Sequence, residues 1–140
     1  MLNKHFSSRS QYYFCGHNIN EFDIPFLCRR MLVNSIKLPG LLDISGLKPW
    51  EVKNIDTMLQ WKFGDYKNFT SLRLLAALFD IPTPKDDISG KDVGKVYWHE
   101  NNLERIVTYC QKDVLTVARL LLKFKGIETI ADEQVVFVKE

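Results

Sequence analysis

Tyr12-Tyr13-Phe14-Cys15-Gly16-His17-Asn18-Ile19-Asn20-Glu21-Phe22-Asp23-Ile24-Pro25-Phe26-Leu27 is the stretch on which the fold turns. Its aromatic start predicts a short buried strand over residues 12–15 that stops at Gly16. A helical pattern then begins near Asn20 or Glu21, because Phe22, Phe26, Leu27 and Met31 recur at three- and four-residue spacing. Pro25 falls in the first turn, where a proline is tolerated. The helix is expected to end near Asn34. Strand, turn and helix in that order suggest an α/β unit, and loops at strand C-termini are the usual ligand positions in such sheets.

Working outward, residues 36–50 hold Pro39, Gly40, Gly46 and Pro49 and read as a loop with one short helical turn. Residues 54–59 are a second strand candidate, followed by an aromatic loop from Trp61 to Asn68. Thr70 or Ser71 caps a helix carried by Leu72, Leu75, Ala76 and Phe79, which the prolines of residues 81–87 break. A polar stretch through Gly90 and Gly94 leads to the last long helix. Asn101 with Glu104 forms a capping-box pattern, and the helix runs to about Lys125 with Gly126 as its stop. Residues 134–138 are β-prone and predict an edge strand. The first eleven residues predict a short leading helix. The order of elements points to an α/β layer structure.

A hydrophobic fraction of 46% with 26% charged residues suits one globular domain at this length of 140 residues. The net charge of +2 is too balanced to argue for nucleic acid by itself, although a local basic patch stays open. Cys15, Cys28 and Cys110 are odd in number and lack any Cys-x-x-Cys pair, which points to a reducing compartment and buried small hydrophobes. The expected location is cytoplasmic. No run approaches the ~20 apolar residues of a membrane span.

On the last helix, Leu103, Ile106, Val107, Cys110, Val114, Val117, Ala118 and Leu121 make an apolar stripe, expected to be core, with Arg105, Lys112 and Arg119 turned to solvent. Tyr109 and Asp113 stack one turn apart on its margin. Taken singly, these residues have ordinary explanations. Asp113 suits a solvated boundary, Asp23 is favoured at a helix start by the dipole, and Asn18 suits a turn. His17 is read as shaping that turn, His99 as a surface residue, and Asp86, Asp87 and Lys91 as a solvated loop. Trp61, Phe63, Tyr66 and Phe69 are assigned to core or dimer packing ahead of base stacking.

Jointly the pattern is more specific. Asn18-x3-Phe22-Asp23 after a strand, then Tyr109-x3-Asp113 on a C-terminal helix, resembles the second and third motifs of DEDDy 3′–5′ exonucleases. Ile24-Pro25-Phe26-Leu27 and Arg29-Arg30 are similar to the exonuclease domain of family B DNA polymerases. Lys48-Pro49-Trp50-Glu51, Asp56-Thr57-Met58, Trp61-Lys62-Phe63-Gly64-Asp65 and Glu104-Arg105-Ile106 resemble stand-alone bacterial members of that group. The likeness covers about residues 12–125.

The resemblance implies a proofreading-type nuclease of the ribonuclease H-like superfamily that hydrolyses DNA with two Mg2+ or Mn2+ ions. It makes Tyr109, Asp113 and Asp23 catalytic, with Asp23 and Asp113 as metal ligands. Asn18 and Phe22 become substrate-binding residues, with Phe22 packing on a base or sugar. Such ions take hard oxygen ligands, acidify the attacking water and stabilise charge on the phosphate. The first motif of those enzymes, Asp-x-Glu, does not occur before Asp23. The expected fold class is therefore α/β, a ribonuclease H-like exonuclease fold that is N-terminally incomplete and holds the C-terminal part of the sheet plus helices. Residues 1–126 are expected to form a partial exonuclease domain, a truncated and inactive or weakly active piece, with 127–140 as a tail bearing the edge strand. The implied partner is single-stranded DNA or a DNA 3′ end, with RNA open. An exposed sheet edge predicts a homodimer. The alternative is a non-catalytic module that keeps the exonuclease shape and binds nucleic acid or protein.

Overall fold

Cys15–Gly16 (β1) and Ile55–Asp56 (β2) pair in parallel, Cys15 opposite Ile55 and Gly16 opposite Asp56. Parallel neighbours need a long crossover. Here it contains the helix Asp23–Val33 (α1) and a loop that folds back on it. These coordinates are a computed structural model that describes residues 12–65, 67–83 and 88–137. The chain divides into two compact units, the first ending at Asn68 and the second beginning at Phe69. The expected leading helix, together with Tyr66, Asp86 and Asp87, lies outside the described residues.

In the first unit, Ile19, Ile24, Met31 and Leu42 form a buried cluster, against which Phe14, Cys28, Leu38 and Ile44 pack. The Cys28 thiol donates to the Leu42 carbonyl at 3.4 Å and ties the loop to α1. The helix closes at Asn34, as its spacing predicts, and the Asn34 side-chain amide donates to the Arg30 carbonyl. Its start differs. Residues 18–22 form a turn, and α1 begins only at Asp23, because the N–H groups of Phe22 and Ile24 bond back to the Asn18 and Ile19 carbonyls.

The strand expected over residues 12–15 is confined to Cys15–Gly16. Tyr12 and Tyr13 are exposed rather than buried, and so is Cys15. The second strand is also shorter than expected. After Asp56 the chain turns into the helix Thr57–Lys62 (α2), since the Asp56 carboxylate accepts the N–H groups of Met58 and Leu59 and starts a helix where the hydrophobic pattern suggested extension. Phe63 then ends α2 in the left-handed region at φ 43°, with its side chain 91% exposed, so it is not core. The short helical turn foreseen in the long loop is a 3₁₀ turn at Pro49–Glu51, closed by the Lys48 N–H donating to the Glu51 carboxylate at 2.7 Å.

In the second unit the helices are Leu72–Leu78 (α3), Val93–Trp98 (α4) and Leu103–Phe124 (α5), with α5 packed against both others. Ser71 caps α3 by accepting the Leu74 N–H. The long helix is capped by Asn102, not Asn101. Asn102 accepts the Arg105 N–H, while Asn101 sits at φ 50°. Gly126 follows at φ 65°, the expected stop. The helix α4 lies in the stretch read as a polar connection. Residues 135–137 carry no strand, and the tail instead forms a 3₁₀ turn at Asp132–Gln134.

The apolar stripe of α5 is core only in its second half. Val117 is buried and Ala118 and Leu121 are half-buried, but Leu103, Val107, Cys110 and Val114 are exposed. Arg119, expected in solvent, is buried at 4% exposure, with Nε donating to the Ile130 carbonyl and Nη2 to Asp132. Among the described residues, no helix is long and apolar enough to cross a membrane.

Two substitutions test this account. A Cβ at Gly16 would sit 2.7 Å from the Ile19 Cβ, whereas one at Gly90 would meet the Tyr109 hydroxyl at an ordinary 3.7 Å. Gly16→Ala is expected to lower stability by about 1–3 kcal/mol, with Gly90→Ala within about 0.5 kcal/mol of the parent, both read from urea denaturation.

Candidate functional site

The C-terminal ends of β1 and β2 are joined by one side chain. Asp56 is only 3% exposed, and its carboxylate accepts four backbone N–H groups. Oδ1 takes those of Asn18 and Met58, each at 3.0 Å, and of Leu59 at 3.4 Å, while Oδ2 takes that of Asn20 at 3.2 Å. Two of these donors begin α2 and two belong to the loop that leads into α1. The carboxylate thus fixes the loop carrying Asn18, Phe22 and Asp23 against the end of the sheet.

Further bonds hold the same loop. The Thr57 hydroxyl donates to the Gly16 carbonyl at 3.2 Å, and His17 Nδ1 lies 3.0 Å from the Thr57 oxygen. Because that hydroxyl proton goes to Gly16, the bond from His17 requires a protonated Nδ1. The Asn54 amide donates to the Asn20 side-chain oxygen at 3.1 Å. Asn18 adopts φ 62°, a conformation asparagine tolerates better than most residues. Its Oδ1 is buried with no hydrogen-bond partner among the described residues. An orphaned buried acceptor is uncommon and marks a position worth attention.

The three residues foreseen here are brought together on one loop-to-helix junction. Phe22 immediately precedes α1, is 63% exposed, and stacks on Phe26 with ring centroids 6.3 Å apart and planes 11° from parallel. Asp23 is the first residue of α1, solvent-facing, where the helix dipole favours an acid. Its carboxyl is nonetheless raised above the usual range. Local burial is the main cause, the Asp56 charge adds to it, and a bond from its own backbone N–H offsets part.

Tyr109 and Asp113 belong to the second unit, one turn apart on α5, and both are half-buried. The Tyr109 hydroxyl lies close to Gly90, in a turn where Asp92 accepts both the N–H and the hydroxyl of Ser89. Those two bonds, the hydroxyl one first, hold the Asp92 carboxyl below its usual range, with Lys95 and Arg105 assisting. His99 closes α4 and is exposed, as expected of a surface residue.

Hard divalent cations need oxygen ligands. Asp23 offers one in the first unit, in a setting where a cation would relieve crowding by Asp56. Asp113 offers another in the second unit. Both Asp56 oxygens are already engaged by N–H donors. Among the described residues, no group of three or more His, Cys, Asp or Glu side chains could hold a metal ion. The donor chemistry therefore fits a cation at single ligands and does not supply a closed site.

Asp56 is the residue that reading the sequence missed. The sequence offers it only within the string Asp56-Thr57-Met58, although an Asp-Thr pair inside the strand candidate of residues 54–59 is an N-cap signal.

A family model described as "Predicted 3'-5' exonuclease related to the exonuclease domain of PolB" matches residues 1–136. Searches of curated proteins and of solved structures each gave no match.

Asp56→Ala is expected to lower stability by about 2–4 kcal/mol, combining loss of a helix cap with stranded loop N–H groups. Chemical denaturation followed by tryptophan fluorescence measures it. For Asp23 the sign is opposite. A raised folded-state pKa makes its contribution favourable below the unfolded value of about 3.9 and lost as pH rises through the folded value. Asp23→Asn should therefore leave Tm at pH 7 unchanged or slightly higher. Carbon-13 NMR titration should place the Asp23 carboxyl above its ordinary value, and a depressed titration would contradict this.

Proposed function

The chain belongs to this family of predicted 3′–5′ exonucleases related to the exonuclease domain of PolB, and on that footing we propose that it engages the 3′ end of a single-stranded DNA and carries part of the machinery for hydrolysing its terminal phosphodiester. The observation that carries the proposal is the match over residues 1–136, which contains both acidic motifs. Their local settings support it. The first motif runs from the end of a strand into a helix start, and the second occupies one face of α5.

In this reading Phe22 stacks on the terminal base or sugar, as an exposed aromatic can for any nucleobase, and Asn18 hydrogen-bonds the terminal nucleotide. Asp23 in the first unit and Asp113 in the second would be the residues to hold Mg2+ or Mn2+. When bound, two such ions supply Lewis-acid stabilisation of the phosphate oxygens. Tyr109 orients the attacking water through its hydroxyl, which need not ionise to do so. The ribonuclease H-like architecture is part of the same proposal and accords with the small parallel sheet and its helices.

A second reading is a non-catalytic module that keeps the exonuclease shape and binds nucleic acid or protein, and the 63% exposed ring of Phe22 suits either partner. Two carboxylates alone bind Mg2+ weakly, since that ion is reluctant to lose its waters.

We expect a 5′-labelled single-stranded DNA to bind with a free 3′ end. Phe22→Ala should weaken binding by about 1–3 kcal/mol in fluorescence anisotropy, the usual cost of a lost base stack. A parallel RNA oligonucleotide reads substrate class, and sizing by light scattering reads whether a second copy joins through the sheet edge. Hydrolysis by this chain alone, with Mg2+ or Mn2+, is expected to fall below detection on a sequencing gel. Robust 3′ shortening abolished by Asp113→Ala would show that the Asp-x-Glu motif is dispensable. Unchanged DNA binding by both Phe22→Ala and Asn18→Ala would remove these residues from the substrate site.

A further inference from the structure

The outward face of α1 breaks the pattern that its inward face keeps. Ile24 and Met31 are buried in the core of the first unit. At ~100° per residue, Phe26, Arg29 and Val33 fall within about 60° of one another on the opposite side of the helix. A surface helix ordinarily turns polar residues outward there. Here Phe26 is 59% and Val33 75% exposed, and the Phe26 ring stacks on that of Phe22, itself open to solvent. Two aromatic rings and a cation thus share one solvent-facing strip.

Charge along this segment is sharply divided. Its acids, Glu21 and Asp23, both lie at the start. From Ile24 to Val33 there is no acid, while Arg29 and Arg30 follow one another. Both arginines are exposed, and among the described residues neither guanidinium takes part in an ion pair or a hydrogen bond. The helix dipole explains a cation such as Arg30 in the last turn. It does not explain aromatic and aliphatic side chains turned to water beside a cation.

Adjacent rings followed by a cation suit a single nucleic-acid strand, whose bases stack on any aromatic and whose backbone follows positive charge. We propose that the outer face of α1 is the track along which single-stranded DNA runs back from its terminal nucleotide. The penultimate base stacks on Phe26, and the next phosphate on the 5′ side pairs with Arg29. This rests on the reading of Phe22 as the seat of the terminal base and extends it from one nucleotide to three. Two observations choose this occupant. Ring contact makes Phe26 continuous with Phe22. The Arg29 guanidinium, carried about 10 Å of helix rise beyond Phe22, complements a phosphate, which it can grip with two parallel hydrogen bonds.

The test is fluorescence anisotropy of the full chain with a 5′-labelled hexathymidylate in EDTA, where no metal-dependent hydrolysis contributes. Unlabelled thymidylates of one, two, three and six nucleotides serve as competitors. We expect affinity to rise up to three nucleotides and to change little at six. Phe26→Ala should weaken hexamer binding roughly ten-fold, as loss of one base stack does, while Phe26→Tyr keeps a ring there and should bind as the parent does. Arg29→Gln should lower the slope of log affinity against log salt by about 0.7, the share of one phosphate contact on a single strand, with Tm unchanged. Leu32→Ala, at an exposed position on the flank of the strip, should bind as the parent does. A mononucleotide competing as well as the hexamer, with Phe22→Ala still impaired, would refute the track and leave the terminal-base reading standing. Parental binding by Phe26→Ala, or an unchanged salt slope in Arg29→Gln, would do the same. A dimer that Phe26→Ala dissociates in light scattering, with DNA affinity intact, would give the strip to a second copy and also overturn the proposal. A parent chain that binds none of the oligonucleotides would refute the track and the terminal-base reading together.

Discussion

The Asp56 carboxylate, shut away from solvent at the end of β2, is the tie on which the first unit depends. It accepts N–H groups from both sides of the sheet end, beginning α2 with two of them and pinning the Asn18–Asn20 turn with the other two. Strands of two residues have little pairing of their own, and β1 and β2 are that short. What keeps them in register is this side chain, with Thr57 bonding back to Gly16 from the next position. A buried carboxylate is tolerable only when its oxygens are satisfied, and here the backbone supplies the donors.

The placement of Phe22 and Asp23 follows from that tie. The turn holds the start of α1 beside the strand end, leaves an aromatic ring open to solvent, and sets Asp23 within the field of Asp56. Charge on Asp23 is disfavoured there in the folded state, which is the kind of local cost that functional carboxylates carry. The second unit treats its acid differently, placing Asp113 half-buried on a long helix with Tyr109 one turn before it. The exonuclease-family match spans the positions of both carboxylates. Among the described residues, neither carboxylate belongs to a group of three or more metal-ligating side chains.

Much of this was legible in the residues, and the failures have identifiable causes. The end of α1, the Ser71 cap and the Gly126 stop were readable because each rests on a local rule about caps or positive φ. The family was readable because the joint spacing of the two motifs is specific. The strand expected over residues 54–59 runs past Asp56 because Met58 and Leu59 look apolar and extended, while the decisive signal is the capping oxygen just before the helix Thr57–Lys62. The helix Val93–Trp98 was overlooked because Gly94 sits inside it and only Val96 is buried. Arg119 was placed in solvent by helical periodicity alone. Its partners lie in the tail, and no pattern within the helix could reveal them. The exposed first half of the α5 stripe shows the same limit, since an amphipathic face specifies where apolar residues gather but not what covers them.

The loop of residues 16–23 takes its shape from Asp56, which lies 38 positions beyond Asn18 and 36 beyond Asn20. Contacts across such separations carry a loop-closure entropy that must be overcome before they contribute. A short peptide spanning the motif would lack its organising carboxylate and would not hold the turn. In folding terms, the loop has high contact order, so it should take shape together with the parallel strand pair and not ahead of it. Asn18, Phe22 and Asp23 are therefore arranged by long-range contacts, and anything that opens the strand pair scatters them.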